Sequence, residues 1–337
     1  MRTYVIGPDS AGKRLDRWLL KELPRLPMSL MQKSLRLRRV KLNGKPAKGD
    51  TRLAAGDVVS LYIEDEFLEK PAEADPFLAR FHWHLDVAYE DGNILIADKK
   101  PGLMVHPDRT EQVNTLLTHV QAYLYQKGEW NSKDKSQFPP ALCNRIDRFT
   151  GGLVIVAKNE AALKAMNEKI ASREVKKEYL CIALGEMPPG FEGLIDTYIL
   201  KPEGSRKVRV TRNPLPGSQR ALTGYRVLGA RDGLSLVACE LMTGRTHQIR
   251  AQFAFIGHPL LGDGQYGDPR ESERFGRDYQ ALYAWRLTFD FETDGGVLDN
   301  LNGRRISARH VPFVRDYFPG AVIPEQPRHT AATDKEM

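Results

Sequence analysis

The chain has 337 residues, 41% hydrophobic and 28% charged, which suits one large domain plus a small one and excludes a disordered protein. No apolar run approaches the roughly 20 residues of a membrane span, and the N-terminus lacks the apolar core of a secretion signal, so a cytoplasmic protein without a membrane partner is expected. The net charge of +7 is concentrated: residues 1–63 hold 14 Lys/Arg against 5 Asp/Glu, a net +9, and the other residues sum to −2. A short basic head on a near-neutral body implies a reader of phosphate backbones joined to something else.

In the head, residues 14–20 have helical apolar spacing and stop at Pro24. Ser29 is placed to cap a second helix through Leu30, Met31, Leu35 and Leu37, whose other face carries Lys33, Arg36, Arg38 and Arg39. Residues 40–42 alternate as a strand, Asn43-Gly44 is a hairpin signal, and residues 57–63 supply a closing strand. A basic helix of this kind would lie along a phosphate backbone and hold position without reading bases. Residues 64–80, acidic and proline-bearing, suit a linker. The body occupies residues 81–323, and residues 324–337 are expected to be a disordered tail.

The body opens as a hairpin, residues 85–90 and 94–99 about a turn at Asp91-Gly92-Asn93. A helix is expected over residues 113–125 and a loop over 126–140. A strand at 153–158 is followed by a helix that Asn159 caps and that runs to about Ser172. Residues 177–184, 221–229 and 234–241 have strand character. Residues 246–256 read as a helix burying Ile249, Phe253 and Ile256. Many strands with few helices between them imply an α+β fold, with a mixed, largely antiparallel sheet flanked by helices and the small α/β module in front. Cys143, Cys181 and Cys239 are odd in number and widely spaced, with no CxxC pair, so neither a disulfide framework nor a metal site is expected.

Three segments carry the chemistry. In Asn144-Arg145-Ile146-Asp147-Arg148-Phe149-Thr150-Gly151-Gly152 a carboxylate lies between two arginines on a glycine-hinged loop that runs into a strand. Such a loop holds Asp147 out of a rigid sheet, with cations that keep it ionised. The plain alternative is a turn residue paired to its neighbours. The other segments are Lys176-Lys177-Glu178-Tyr179 and Thr243-Gly244-Arg245-Thr246-His247-Gln248-Ile249-Arg250. Together the three resemble the catalytic motifs of the RluA-type pseudouridine synthases, and residues 99–107 resemble that family's first motif. The resemblance runs from near Asp86 to near Phe318. The head, with its basic second helix, resembles the ribosomal-S-four-type RNA-binding domain.

The resemblance implies an enzyme that isomerises uridine in structured RNA to pseudouridine, with no metal or organic cofactor. Asp147 matches the catalytic aspartate, Arg250 the arginine paired with it, and Tyr179 the tyrosine that stacks on uracil. Arg145 matches the arginine that fills the helix when the target nucleotide flips out. Arg245 could contact phosphate, and His247 is expected to support the start of its helix. Asn144 stands where many members have His, which bears on loop geometry or substrate choice. Large-subunit ribosomal RNA is the favoured partner, with transfer RNA as the alternative, and a monomer is expected. The rival reading is an RNA-binding or ribosome-associated protein without activity. A remoter one is an NTPase, because residues 7–14 nearly match a phosphate-binding loop; Arg14 stands where its magnesium-holding hydroxyl should be.

Overall fold

A computed structural model describes residues 1–23, 26–64, 67 and 75–323. The chain divides into two compact units, Met1–Asp75 and Pro76–Met337. Expectations for Pro24, for most of the linker and for the tail lie outside the described residues.

In the first unit, β1 (Arg2–Val5), β2 (Val40–Leu42), β3 (Lys45–Pro46) and β4 (Val58–Leu61) form an antiparallel sheet in the order β1-β4-β2-β3. Helices α1 (Leu15–Glu22) and α2 (Met28–Arg36) bury Leu15, Trp18, Leu19 and Met31 in the same core as Val40, Val59 and Leu61. Asn43 and Gly44 have φ of 50° and 79°, the left-handed pair that a tight two-residue hairpin needs. Ser29 is not the cap expected of it: α2 starts two residues earlier than that cap would give, after Pro27, whose φ of −60° already sets the entry, and no side chain caps that end. The helix also ends sooner, and Arg38 is left-handed at φ 57°. Lys33 and Arg36 therefore project from α2, whereas Arg38 and Arg39 sit on the turn into β2; all four are exposed.

The second unit opens with α3 (Pro76–Arg80), so the last five residues read as linker are helical, with Leu78 buried. Strands β5 (Asp86–Glu90) and β6 (Ile94–Lys99) form the expected hairpin. Helix α4 (Leu116–Gln126) starts later than its apolar spacing suggests, because the Thr115 hydroxyl accepts the Thr118 N–H and fixes the end there. Then follow β7 (Ala141–Leu142), β8 (Gly151–Ala157), α5 (Glu160–Ala171), β9 (Val175–Leu184), β10 (Glu192–Leu200), β11 (Arg209–Thr211), β12 (Gln219–Arg231), β13 (Leu234–Leu241), α6 (Gln248–Phe255), α7 (Pro269–Arg274), β14 (Leu282–Phe289), β15 (Arg305–Ser307) and α8 (Pro312–Tyr317).

These strands make one 11-stranded sheet among the described residues, in the order β11-β10-β12-β13-β9-β14-β8-β6-β5, with β15 on β14 and β7 on β8. Its pairings are antiparallel except for β8 with β14, so the sheet is mixed and largely antiparallel, in an α+β fold. Alternation along β8 sends Val154 and Val156 to one core with Val120 and Phe253, and Leu153 and Ile155 to another with Met166. Strand β14, between β8 and β9, brings Gly151 and Gly152 at the start of β8 level with Tyr179 and Leu180 in the middle of β9. No helix among the described residues is long and apolar enough to cross a membrane.

Candidate active site

The Asp147 loop is set by close backbone approach. Gly151 and Gly152 are not hinges but the first two residues of β8, paired in parallel with Tyr283 and Ala284. A Cβ at Gly151 would run into the Tyr283 ring. One at Gly152, φ 115°, would meet the Ala284 carbonyl. Two further contacts fix the loop. The Asn144 side-chain oxygen accepts the Ile155 N–H at 2.7 Å. The Lys99 ammonium, 1% exposed, donates to the carbonyls of Lys100, Leu103 and Arg148 at 3.0, 2.8 and 2.9 Å, tying the first motif to the residue after Asp147. Burial pushes Lys99 down to about 7, with the Asp147 charge opposing it.

Arg250 projects from α6 into this loop. Its Nη1 donates to Asp147 Oδ2 at 2.8 Å, while Nε and Nη2 donate to the two oxygens of Asp263 at 2.7 and 2.8 Å. Nη2 also reaches Gln265 Oε1 at 3.1 Å. Burial works against the Arg250 charge, but the hydrogen bonds and charges of Asp263 and Asp147 outweigh it and hold the guanidinium above its ordinary range. Asp147 keeps 28% of its side chain exposed, whereas Asp263 keeps none. The arginine thus has an anchoring carboxylate and an open one.

Tyr179 on β9 is 6% exposed, and burial together with the Asp147 charge raises its phenol well above the usual value. His247 precedes α6 at φ 53°, and its side chain makes no capping bond, contrary to expectation. Instead its Nδ1 lies 3.0 Å from Tyr266 Oη, and its Nε2 is 3.8 Å from Asp147 Oδ2. Gln248 does the local bracing. Its Oε1 accepts the Arg245 N–H and the Thr243 hydroxyl, and its amide donates to the Leu222 carbonyl and the Thr223 hydroxyl.

A cavity of about 710 Å³ joins these groups, lined among others by Asp147, Lys177, Tyr179, Arg245, His247 and Arg250. That volume lies in the ordinary range for a pocket that takes a small-molecule-sized group. Arg145 and Arg245 are exposed parts of its lining. Lys33, Arg36, Arg38 and Arg39 belong to the other unit. Sequence reading therefore placed Asp147, Tyr179, Arg250, Arg145 and Arg245 in one region, and it missed Asp263, Gln265 and Tyr266. Gly262-Asp263-Gly264 looks like a turn, and nothing local marks its aspartate as buried against a distant arginine. Among the described residues no group of three or more His, Cys, Asp or Glu could hold a metal ion.

Comparison with known proteins gives one answer. The family model described as RNA pseudouridylate synthase matches residues 93–255. An uncharacterized RNA pseudouridine synthase of Chlorobaculum parvum is 34% identical over 88% of this chain and 92% of its own length. The ribosomal large subunit pseudouridine synthase D of Neisseria meningitidis is 32% identical over 85% of this chain and 74% of its own length. Among solved structures, human RNA pseudouridylate synthase domain containing 1 has the same fold, with a TM-score of 0.51 at 21% identity, over 74% of this chain and 89% of its own.

Proposed function

The chain belongs to the RluA-type RNA pseudouridine synthases and isomerises uridine in RNA, and we propose that it does so with Asp147 as the catalytic carboxylate, acting as a monomer on large-subunit ribosomal RNA. The observation that carries the reading is the 2.8 Å bond between Arg250 Nη1 and Asp147 Oδ2, inside the cavity that Tyr179 also lines.

The reaction breaks the bond from uracil N1 to the sugar, turns the base, and joins C5 to the same carbon. C5 gives up its proton and N1 gains one, so atoms and electrons balance within the nucleotide. A carboxylate serves this as nucleophile or by stabilising the sugar cation. Arg250, locked by Asp263, aims Asp147 through its Nη1 hydrogen bond. Tyr179 suits stacking on uracil and hydrogen-bond donation; with its phenol held protonated, it is a poor proton acceptor. Arg145, exposed at the cavity, fills the gap left by the flipped base, and Arg245 meets phosphate. Unit Met1–Asp75 is an RNA-binding module of the ribosomal-S-four type that lays Lys33, Arg36, Arg38 and Arg39 on phosphates. The ribosomal target is supported by this module and by the name of the Neisseria relative.

The test uses transcripts labelled with tritium at uridine C5, which lose the label to water as the new bond forms. Release from large-subunit ribosomal RNA, and none from transfer RNA, is expected. Release from transfer RNA alone would overturn the assigned substrate.

A further inference from the structure

We propose that Tyr266 is a positioning residue for the reaction: it fixes the tautomer of His247 so that the imidazole presents an N–H to Asp147. The inference rests on the reading of Asp147 as the catalytic carboxylate. It follows from counting protons along three contacts. The Val208 backbone N–H donates to Tyr266 Oη at 2.9 Å. A phenol has one proton, and with the in-plane lone pair of its oxygen taken by Val208, that proton is the group left to meet His247 Nδ1, 3.0 Å away. A neutral imidazole whose Nδ1 accepts carries its hydrogen on Nε2, the nitrogen 3.8 Å from Asp147 Oδ2. Backbone, phenol and imidazole thus form one directed chain that ends in an N–H facing the carboxylate. It points a neutral donor at Asp147 beside the charged one from Arg250.

The surroundings hold Tyr266 to this task. Its backbone N–H donates to Asp263 Oδ1 at 3.1 Å, the aspartate that anchors Arg250. The Arg250 guanidinium lies over its ring, 5.3 Å from the centroid, and the His247 ring meets it edge-on at 5.7 Å. Burial is the largest influence on His247 and keeps it neutral, assisted by Arg250 and Lys201 and opposed by Asp147 and Asp263. The neighbouring Gln265 is tethered in parallel, accepting from Arg250 and donating to the Arg206 carbonyl at 2.6 Å. At 3.8 Å the histidine N–H is beyond hydrogen-bond reach, and about 0.6 Å of closure around a bound nucleotide would complete the contact.

The test uses the full chain. With nitrogen-15 histidine, the His247 signal, assigned by its loss in His247→Gln, should report Nε2–H in the wild type and a tautomer mixture in Tyr266→Phe. Single-turnover isomerisation by Tyr266→Phe on saturating RNA should fall about tenfold, the kinetic equivalent of one net hydrogen bond. RNA affinity should stay within about twofold, since phosphate contacts supply most of it. Because the Gln side chain of His247→Gln offers an N–H at the Nε2 position whatever stands at 266, adding Tyr266→Phe to it should slow the enzyme little further. An unchanged rate or tautomer in Tyr266→Phe, or effects that simply add, would overturn the proposal; so would an Nδ1–H tautomer in the wild type, which needs no variant to fold. Asp147→Asn on the same RNA separates the two ideas. If that variant is inactive while Tyr266→Phe is unimpaired, only this inference fails; if it turns over, the reading of Asp147 fails first.

Discussion

Asp263 grips Arg250 through both of its oxygens, at 2.7 and 2.8 Å, and leaves the arginine a single terminal nitrogen, Nη1, for Asp147. The buried carboxylate anchors, and the partly exposed one stays open to the cavity. Removing the anchor's charge should therefore injure both stability and chemistry. Asp263→Asn leaves a buried guanidinium short of its main counter-charge and should cost about 3 kcal/mol in urea unfolding. Its single-turnover rate should fall more than its RNA affinity. Wild-type stability in this variant would show that the pair is not the anchor.

Arg250→Lys keeps the charge and loses the planar fork. One ammonium cannot reach both oxygens of Asp263 and also Asp147 and Gln265. We expect a rate loss of about 100-fold, in the range for removing an aligned donor from an active site. Near-normal turnover by Arg250→Lys would contradict the geometry.

Lys99 gives a pH signature. Its folded value is about 7 against an ordinary 10.5, so the unfolded chain binds more protons between those values. The linked contribution is complete above about pH 10.5 and is lost as the pH falls through about 7. Wild-type stability relative to Lys99→Met should therefore rise with pH across this window, by up to about 5 kcal/mol. Urea titrations of both proteins at several pH values check the slope, and a flat or falling difference would refute it.

The basic head gives a salt signature. The first unit has its own core, built on Leu15, Trp18, Leu19 and Val59, so removal of residues 1–75 should leave the second unit folded. Changing Lys33, Arg36, Arg38 and Arg39 together to Ala should lower the slope of log affinity against log salt by about 3, if each meets one phosphate. An unchanged slope would mean that this face does not touch RNA.

Much of the site could be read from the sequence because its members lie on short motifs with their own chemistry: Asp147 between arginines, Tyr179 on an apolar strand, Arg250 one residue after core-facing Ile249. What could not be read is set by tertiary closure. Gly151-Gly152 looks like a hinge, and only the approach of Tyr283 and Ala284 shows why both glycines are needed. Strand β14 escaped notice because Arg286 interrupts its apolar run; that arginine is buried at 3.8 Å from Glu178 and stacked on Trp285. Strand β10 was hidden likewise, since Leu194 on its outer face is 58% exposed and blurs the alternation of Ile195, Thr197 and Ile199.

The most direct test of the central claim replaces Asp147 by Asn, nearly isosteric and lacking only the charge. Binding and single-turnover isomerisation would be measured on one large-subunit ribosomal RNA fragment. RNA affinity should stay within a few-fold, because phosphate contacts elsewhere supply it. Isomerisation should become undetectable, because an amide is a poor nucleophile and a poor partner for a sugar cation. Isomerisation retained by Asp147→Asn would place the chemistry elsewhere in the chain, and binding lost together with activity would make Asp147 a structural residue.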